Sequence, residues 1–240
     1  MSQRYFVESP IEGPTVRLTG SEAHHLAHVM RARAGDDVVL FDGGGAEYAA
    51  RVEHIARAEI GLAVLERRDV DREPAVHLTL GVALPKPDRA RWLVEKATEL
   101  GVARLVPLVT QFAGQRPAPA TLVKLRRAVI EACKQCGRNR LMEIAEPQPF
   151  DAWIGTVEGA RLLAHPASAD PRSTTSPPLS HPGPLTIAVG PEGGFSPQEV
   201  ERALAAGWRT VALGERILRV ETAALALAAL CLLPGGRALP

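Results

Sequence analysis

Between positions 185 and 233 the chain runs twice through one pattern: an apolar run of strand length, a glycine-bearing turn, and a helix. The first pass is LTIAV, then Gly190-Pro191-Glu192-Gly193-Gly194-Phe195-Ser196, then a helical stretch over 197–206. The second is a run over 210–213, then Gly214-Glu215-Arg216-Ile217-Leu218-Arg219, then an almost wholly apolar helix over 221–233. Strands that alternate with helices lie parallel, because a helical crossover returns the chain to the same end of the sheet. The alternation reaches back to residue 76. A strand is expected over 76–84 and a helix over 88–100, with Ala90, Leu93, Ala97 and Leu100 on one face and Gly101 as its stop. A strand over 102–109 and a helix over 121–136 follow, the helix ended by Gly137, and then a strand over 161–165. Residues 73–240 therefore read as one α/β unit built on a parallel sheet. The Pro-, Ser- and Thr-rich stretch over 167–184 interrupts it and is expected to be a mobile surface loop.

Residues 1–72 read differently. Short strand candidates over 4–7, 15–18, 38–41, 47–52 and 60–66 are separated by Pro10, Gly13, Pro14 and the turn Asp42-Gly43-Gly44-Gly45. One short helix, capped by Ser21, carries His24, His25, Leu26, His28, Val29 and Met30. Short strands with glycine turns suggest a small β-barrel. The charged stretch over 67–74 ends in a proline and is expected to be a linker.

Global charge is uninformative: the formal net charge is +1, so any nucleic-acid footprint has to be local. Three cysteines, an odd number in a long chain, argue for reduced thiols in a cytoplasm. The N-terminus shows no apolar signal segment, and the run over 223–233 is too short to span a bilayer. It reads as a buried helix. Cys133 and Cys136 have metal- or redox-type spacing but lack a second pair, and His24 and His28 lack a third ligand, so no metal is expected. Trp92, Trp153 and Trp208 read as packing residues.

The two C-terminal turns are where chemistry is expected. Gly193 and Gly194 allow backbone shapes closed to other residues, Ser196 suits an N-cap and Pro197 a first helical position. Such a turn at the carboxyl end of a parallel strand either binds a ligand or simply joins strand to helix. It is no Walker loop and no dinucleotide fingerprint, since the lysine and the glycine spacing are absent. In the second turn Arg216 and Arg219 precede a helix whose N-terminal dipole opposes them, so an anionic or carbonyl-rich partner is expected.

Gly190-Pro191-Glu192-Gly193-Gly194-Phe195-Ser196, taken with Leu213-Gly214-Glu215-Arg216-Ile217-Leu218-Arg219-Val220-Glu221-Thr222-Ala223, resembles the signature of the RsmE-type small-subunit rRNA uracil-N3 methyltransferases of the SPOUT superfamily. His24-His25-Leu26 with Val29, Arg31 and Gly35-Asp36 resembles the family's N-terminal PUA-like barrel. Lys86, Glu95-Lys96 and Glu99-Leu100-Gly101 resemble its first methyltransferase helix, and Glu131-Ala132, Gln135-Cys136 and Arg138 its second. The long insertion after His165 departs from the pattern outside these motifs. The resemblance implies a PUA-like RNA-binding barrel over 1–72 and a trefoil-knotted SPOUT methyltransferase domain over 73–240. It further implies S-adenosylmethionine as methyl donor, 16S rRNA of the small ribosomal subunit as substrate, a homodimer and a cytoplasmic location.

Carried onto this sequence, the cofactor falls to Leu163, Gly190, Glu192, Gly193, Leu213, Gly214, Ile217, Leu218 and Arg219. Uracil N3 is a poor nucleophile while it keeps its proton, and removing the proton spreads charge onto O2 and O4. A catalyst needs a base, or a cation that eases the ionisation. Arg219 or Arg216 is expected to stabilise the anion, and Glu221 either takes the proton, positions an arginine or merely caps its helix. His24, Arg31, Arg33, Lys86 and Arg138 are the candidate RNA contacts, with Arg89, Lys134 and Arg140 beside them. Two other functions fit the same residues: a related knotted enzyme acting on another position such as a ribose 2′-hydroxyl, and a non-catalytic RNA-binding ribosome assembly factor.

Overall fold

The structure is a computed structural model that describes residues 3–113, 116–166, 173–174 and 183–233. Most of the loop expected over 167–184 therefore lies outside the described residues. The chain divides into two compact units, Met1–Glu73 with Ile130–Leu141, and Pro74–Val129 with Met142–Pro240.

The first unit holds β1 (Arg4–Phe6), β2 (Thr15–Thr19), α1 (Gly20–His24), β3 (Asp37–Phe41), β4 (Glu47–Ile55) and β5 (Glu59–Arg68). They form a five-stranded sheet in the order β1-β3-β4-β5-β2, antiparallel except for β1 beside β3. Alternation along β2 turns Val16 and Leu18 inward and the residues between them to solvent. Tyr5, Leu18, Leu40, Val52 and Leu62, one from each strand, share a single buried cluster with Leu26 of the helical segment. Register shifts in β4 at Ala49/Ala50 and Val52/His54 bend the sheet around that cluster. The expected barrel is thus a curled sheet, with no ladder joining β1 to β2 among the described residues.

The helical segment differs from the expectation. Thr19, not Ser21, is the N-cap, and it makes no side-chain cap bond. After His24 the helix widens into a π-helical turn over His25–Val29, closed by Met30 N–H donating to His25 O at 3.0 Å. Arg31 then takes a left-handed conformation, φ +54, where a glycine is usual. That costs about 1 kcal/mol.

The stretch expected as a linker is pinned. Arg72 and Arg4 both donate to Glu47 Oε2, at 3.0 and 2.8 Å, and Arg138 forks onto Glu73 at 2.6–3.1 Å. Burial alone would raise the Glu47 carboxyl, but the bonds from Arg4 and Arg72 outweigh it and hold the group below its ordinary value. A depressed carboxylate contributes stability that is present above its ordinary pKa and lost as pH falls through the folded value. Glu47→Gln is expected to cost about 3 kcal/mol at neutral pH, at the low end for a broken buried pair because Arg72 is half exposed. In denaturant titrations the gap to the unaltered protein should shrink below the ordinary carboxylate pKa of 4.5.

The second unit contains β6 (Leu78–Val82), α2 (Pro87–Leu100), β7 (Arg104–Val109), α3 (Pro119–Cys136, its last turns belonging to the first unit), β8 (Glu143–Ile144), β9 (Gln148–Pro149), α4 (Phe150–Trp153), β10 (Ala160–Ala164), β11 (Ser173–Thr174), β12 (Leu185–Val189), α5 (Pro197–Ala205), β13 (Arg209–Val211) and α6 (Val220–Leu232). The sheet is wholly parallel, in the order β11-β13-β10-β12-β6-β7-β8, with β9 also on β7. Gly101 and Gly137, both left-handed, end α2 and α3 as expected.

All five residues of β12 are buried, as a parallel strand covered on both faces requires. Ala188 faces one layer with Leu163, Trp153, Phe195 and Trp208, beneath α4 and α5. Gly81 of β6 faces that layer too, because a Cβ there would meet the Trp153 ring at 2.2 Å. The pleat then turns Leu78, Leu80 and Val82 to the other face, where α6 packs on β6, β12 and α2. Trp153 and Trp208 are packing residues, 5.4 Å apart, whereas Trp92 is exposed on α2. Burial pushes the Cys133 thiol up to about 12 and that of Cys231 up to about 11, so both stay protonated at neutral pH.

Candidate active site

Because every strand of the second unit is parallel, the segments after β6, β7, β10, β12 and β13 leave from one edge of the sheet. Val189 pairs with Val82 and Ala164, and Ala164 with Val211, so four of these ends are level. This is the edge where open parallel sheets bind ligands.

The turn after β12 is built to one shape. Ser196 Oγ accepts from Glu199 N–H at 3.3 Å, and Glu199 Oε2 accepts from Ser196 N–H at 2.8 Å. This capping box fixes where α5 starts. The other Glu199 oxygen accepts from Gln111 N–H at 2.8 Å, tying the segment after β7 to this turn. Phe195 is buried against Phe150, 4.6 Å between ring centres. Gly190 makes room for it, since a Cβ there would meet Gly194 C and the Phe195 ring at 3.1 Å. Gly194 is left-handed at φ +73 and donates to Pro191 O at 2.8 Å. Glu192 and Gly193 remain exposed at the tip.

The turn after β13 has the opposite character. Among the described residues, none of the backbone N–H groups from Leu213 to Arg219 donates a hydrogen bond within the chain. Ile217 is 93% exposed, although burying such a side chain is worth about 1.5–3 kcal/mol. Leu213 and Leu218 are half-buried, and Arg216 and Arg219 exposed. Open amides beside apolar side chains are the donor set that fits a flat heteroaromatic ring with polar edges, such as the adenine of S-adenosylmethionine.

Arg219 is the N-cap of α6, without a side-chain cap bond. Glu221 follows in the first turn, 7% exposed. Its Oε1 lies 3.8 Å from Arg89 Nε of α2, and its Oε2 is buried without any partner. The helix dipole favours the charge there, but capping does not account for the second oxygen. An unpaired buried acceptor costs about 1–3 kcal/mol and calls for a donor from outside the chain.

Of the residues expected to bind a cofactor, Gly190, Glu192, Gly193, Leu213, Gly214, Ile217, Leu218 and Arg219 lie in these two turns at one edge. Leu163 lies on β10 with its side chain wholly in the core, beneath the edge. Arg216, Arg219 and Glu221 fall in the second turn and the helix start. Lys86 is exposed, just ahead of α2. In the first unit His24, Arg31 and Arg33 are exposed along one short segment with Val29 and Met30. Arg138 is a different case: it is 5% exposed and locked onto Glu73, so it serves as an internal structural cation there. Lys134, bonded to Glu22 at 2.8 Å, is likewise internal. Sequence reasoning missed the tie from Glu199 to Gln111 and the pairing of Glu221 with Arg89. Periodicity carries no signal for either.

Comparison with known proteins agrees with this architecture. The sequence profile of the RNA methyltransferase domain family matches residues 72–232, and that of the RNA methyltransferase PUA domain matches residues 18–61. The chain is 34% identical over 216 residues to a ribosomal RNA small subunit methyltransferase E of Synechocystis, covering 87% of this chain and 70% of the relative. It is 30% identical over 241 residues to the protein of the same name in Bacillus subtilis, covering 93% of each. Its fold superposes with a TM-score of 0.85 on a ribosomal RNA small subunit methyltransferase E from Neisseria gonorrhoeae bound to S-adenosyl methionine, at 29% identity over 95% of this chain and 96% of the other. A methyltransferase from Legionella pneumophila in complex with the cofactor SAM gives the same TM-score, at 28% identity over 96% and 97%.

Proposed function

The chain belongs to the RNA methyltransferase family that contains the ribosomal RNA small subunit methyltransferases E, and from that premise we propose that it methylates N3 of a uridine in 16S rRNA with S-adenosylmethionine as donor. The observation that carries this reading is the pairing, at one sheet edge, of a rigid glycine turn with a turn of open amides, in a chain that overlays on cofactor-bound relatives along almost its whole length.

In this reading Leu213 to Arg219 hold the adenine by their backbone amides and by the side chains of Leu213, Ile217 and Leu218, with Gly190, Glu192 and Gly193 opposite. Bound S-adenosylmethionine supplies an electrophilic methyl group on a sulfonium centre. The chain's own task is the uracil. Glu221 accepts the N3 proton at Oε2, the oxygen without a partner, while Arg89, 3.8 Å from Oε1, holds the carboxylate in place. Arg219, or Arg216, faces the charge that spreads onto O2 and O4.

The first unit positions the RNA through His24, Arg31 and Arg33, and Lys86 meets a phosphate beside the active edge. The last helix closes a trefoil knot, as the resemblance implies. Trp92 on α2, Leu230 on α6 and Leu233 just after it are exposed apolar side chains on or beside two helices that pack together, and a homodimer would cover them. No described helix is long and apolar enough to cross a membrane, and the protein works in the cytoplasm with the ribosome. Calorimetry with S-adenosylmethionine tests the cofactor site. Saturable binding is expected, and a folded protein that binds none would favour a non-catalytic RNA-binding factor.

A further inference from the structure

The segment after β7 brings an aromatic ring to the active edge. Phe112 is 51% exposed, and its side chain lies against the glycine turn: a Cβ on Gly193 would sit 3.3 Å from Phe112 Cβ and 3.7 Å from Cγ. Only Phe112 and Trp92 are exposed large aromatics among the described residues, and Trp92 stands on helix α2 rather than on a segment that ends at the sheet edge. The Phe112 backbone is held on both sides. Gln111 N–H donates to buried Glu199, and Ala113 N–H donates to Thr110 Oγ1 at 3.1 Å and to Thr110 O at 3.2 Å. A half-exposed phenyl ring on a segment fixed this firmly is presented to something outside the chain.

We infer that Phe112 is the residue on which a nucleobase of the RNA substrate stacks at the methylation site, an inference that rests on the function proposed above. The sheet order decides between base and cofactor. The turn after β12 is flanked on one side by β10 and β13, whose loop carries the open amides and Ile217. On its other side lie β6 and β7. Phe112 reaches Gly193 from that second flank, the one that also carries Lys86 and Arg89, and Arg89 faces Glu221. The ring and Lys86 thus lie on the second flank, and from that flank Arg89 reaches Glu221, the proposed proton acceptor. A phenyl ring offers any base a π-face, so its task is to hold a base rather than to read its identity.

The test uses the full chain, small ribosomal subunits lacking the modification, and labelled S-adenosylmethionine. Base stacking is worth enough that Phe112→Ala should lower kcat/KM for the subunit by roughly 5- to 150-fold. The Kd for S-adenosylmethionine should stay unchanged, Phe112→Tyr should restore the rate, and Phe112→Leu should not. A Phe112→Ala enzyme as fast as the unaltered one overturns the inference. So does full rescue by leucine, or a loss that follows weakened cofactor binding. If the unaltered protein transfers no methyl group, the proposed function falls with it; if that protein is active and Phe112→Ala matches it, only the role of Phe112 falls.

Discussion

Glu221→Gln should slow methyl transfer to small subunits by about 100-fold or more, the range of a lost general base, while S-adenosylmethionine binding persists. The substitution keeps the shape of the side chain and removes its ability to take a proton. If Glu221 only capped α6, the change would cost stability of about 0.3–1 kcal/mol and leave turnover near normal. The unpaired, buried Oε2 argues against that, because a capping carboxylate uses its oxygens on backbone amides. The pH profile separates a chemical role from a structural one for both residues. Without the base, the rate of Glu221→Gln should climb with pH as the uracil ionises unaided. Arg219→Ala should also climb, because the ionisation is no longer eased, and its loss should be about 100- to 1,000-fold, as for removal of an anion-stabilising donor. Normal turnover in both variants would remove these residues from the mechanism.

Gly81→Ala is the substitution expected to damage the fold most. The new methyl would sit 2.2 Å from Trp153 Cη2 and 2.6 Å from Cζ3. The backbone cannot retreat, since β6 is paired with β12 on one side and β7 on the other. The Trp153 ring has to move instead. It packs at a tilt against Trp208, whose Nε1–H donates to Ile154 O at 3.1 Å, so the disturbance spreads through one layer of the core. Overpacking of this kind costs about 3 kcal/mol. At roughly 2–4 °C per kcal/mol for a unit of this size, Tm should fall by about 6–12 °C. Adding Trp153→Leu should recover part of the loss, so that the double variant is more stable than the sum of the two single effects predicts. A Tm within a degree or two of the unaltered protein would mean that ring and strand are not packed as described.

What was legible in the sequence follows from the range of the forces involved. The five apolar residues of β12, the one-sided pattern of α2 and the glycine stops at Gly101 and Gly137 are local consequences of burial and backbone geometry, and they appear where expected. The two glycine turns were legible for the same reason. Elements such as β8, β9 and α4 were not, because two to four residues carry no period. Nor was the fate of Arg138, whose partner Glu73 lies 65 positions away: a lone arginine reads as a surface cation until the fold brings a carboxylate to it. Ser21 misled in the other direction. It is a good cap residue, but helix α1 starts earlier, at Gly20 after the end of β2, and then widens into a π turn that propensity does not announce. The roles of Glu199 and Phe112 likewise depend on two loops that meet only in the folded sheet.

The most direct measurement incubates the full-length protein with labelled S-adenosylmethionine and small ribosomal subunits that lack the modification, then digests the RNA to nucleosides. The label should appear in N3-methyluridine, and Glu221→Gln should nearly abolish it. Label in a 2′-O-methylated nucleoside, or none at all from a folded protein that binds the cofactor, would contradict the assignment.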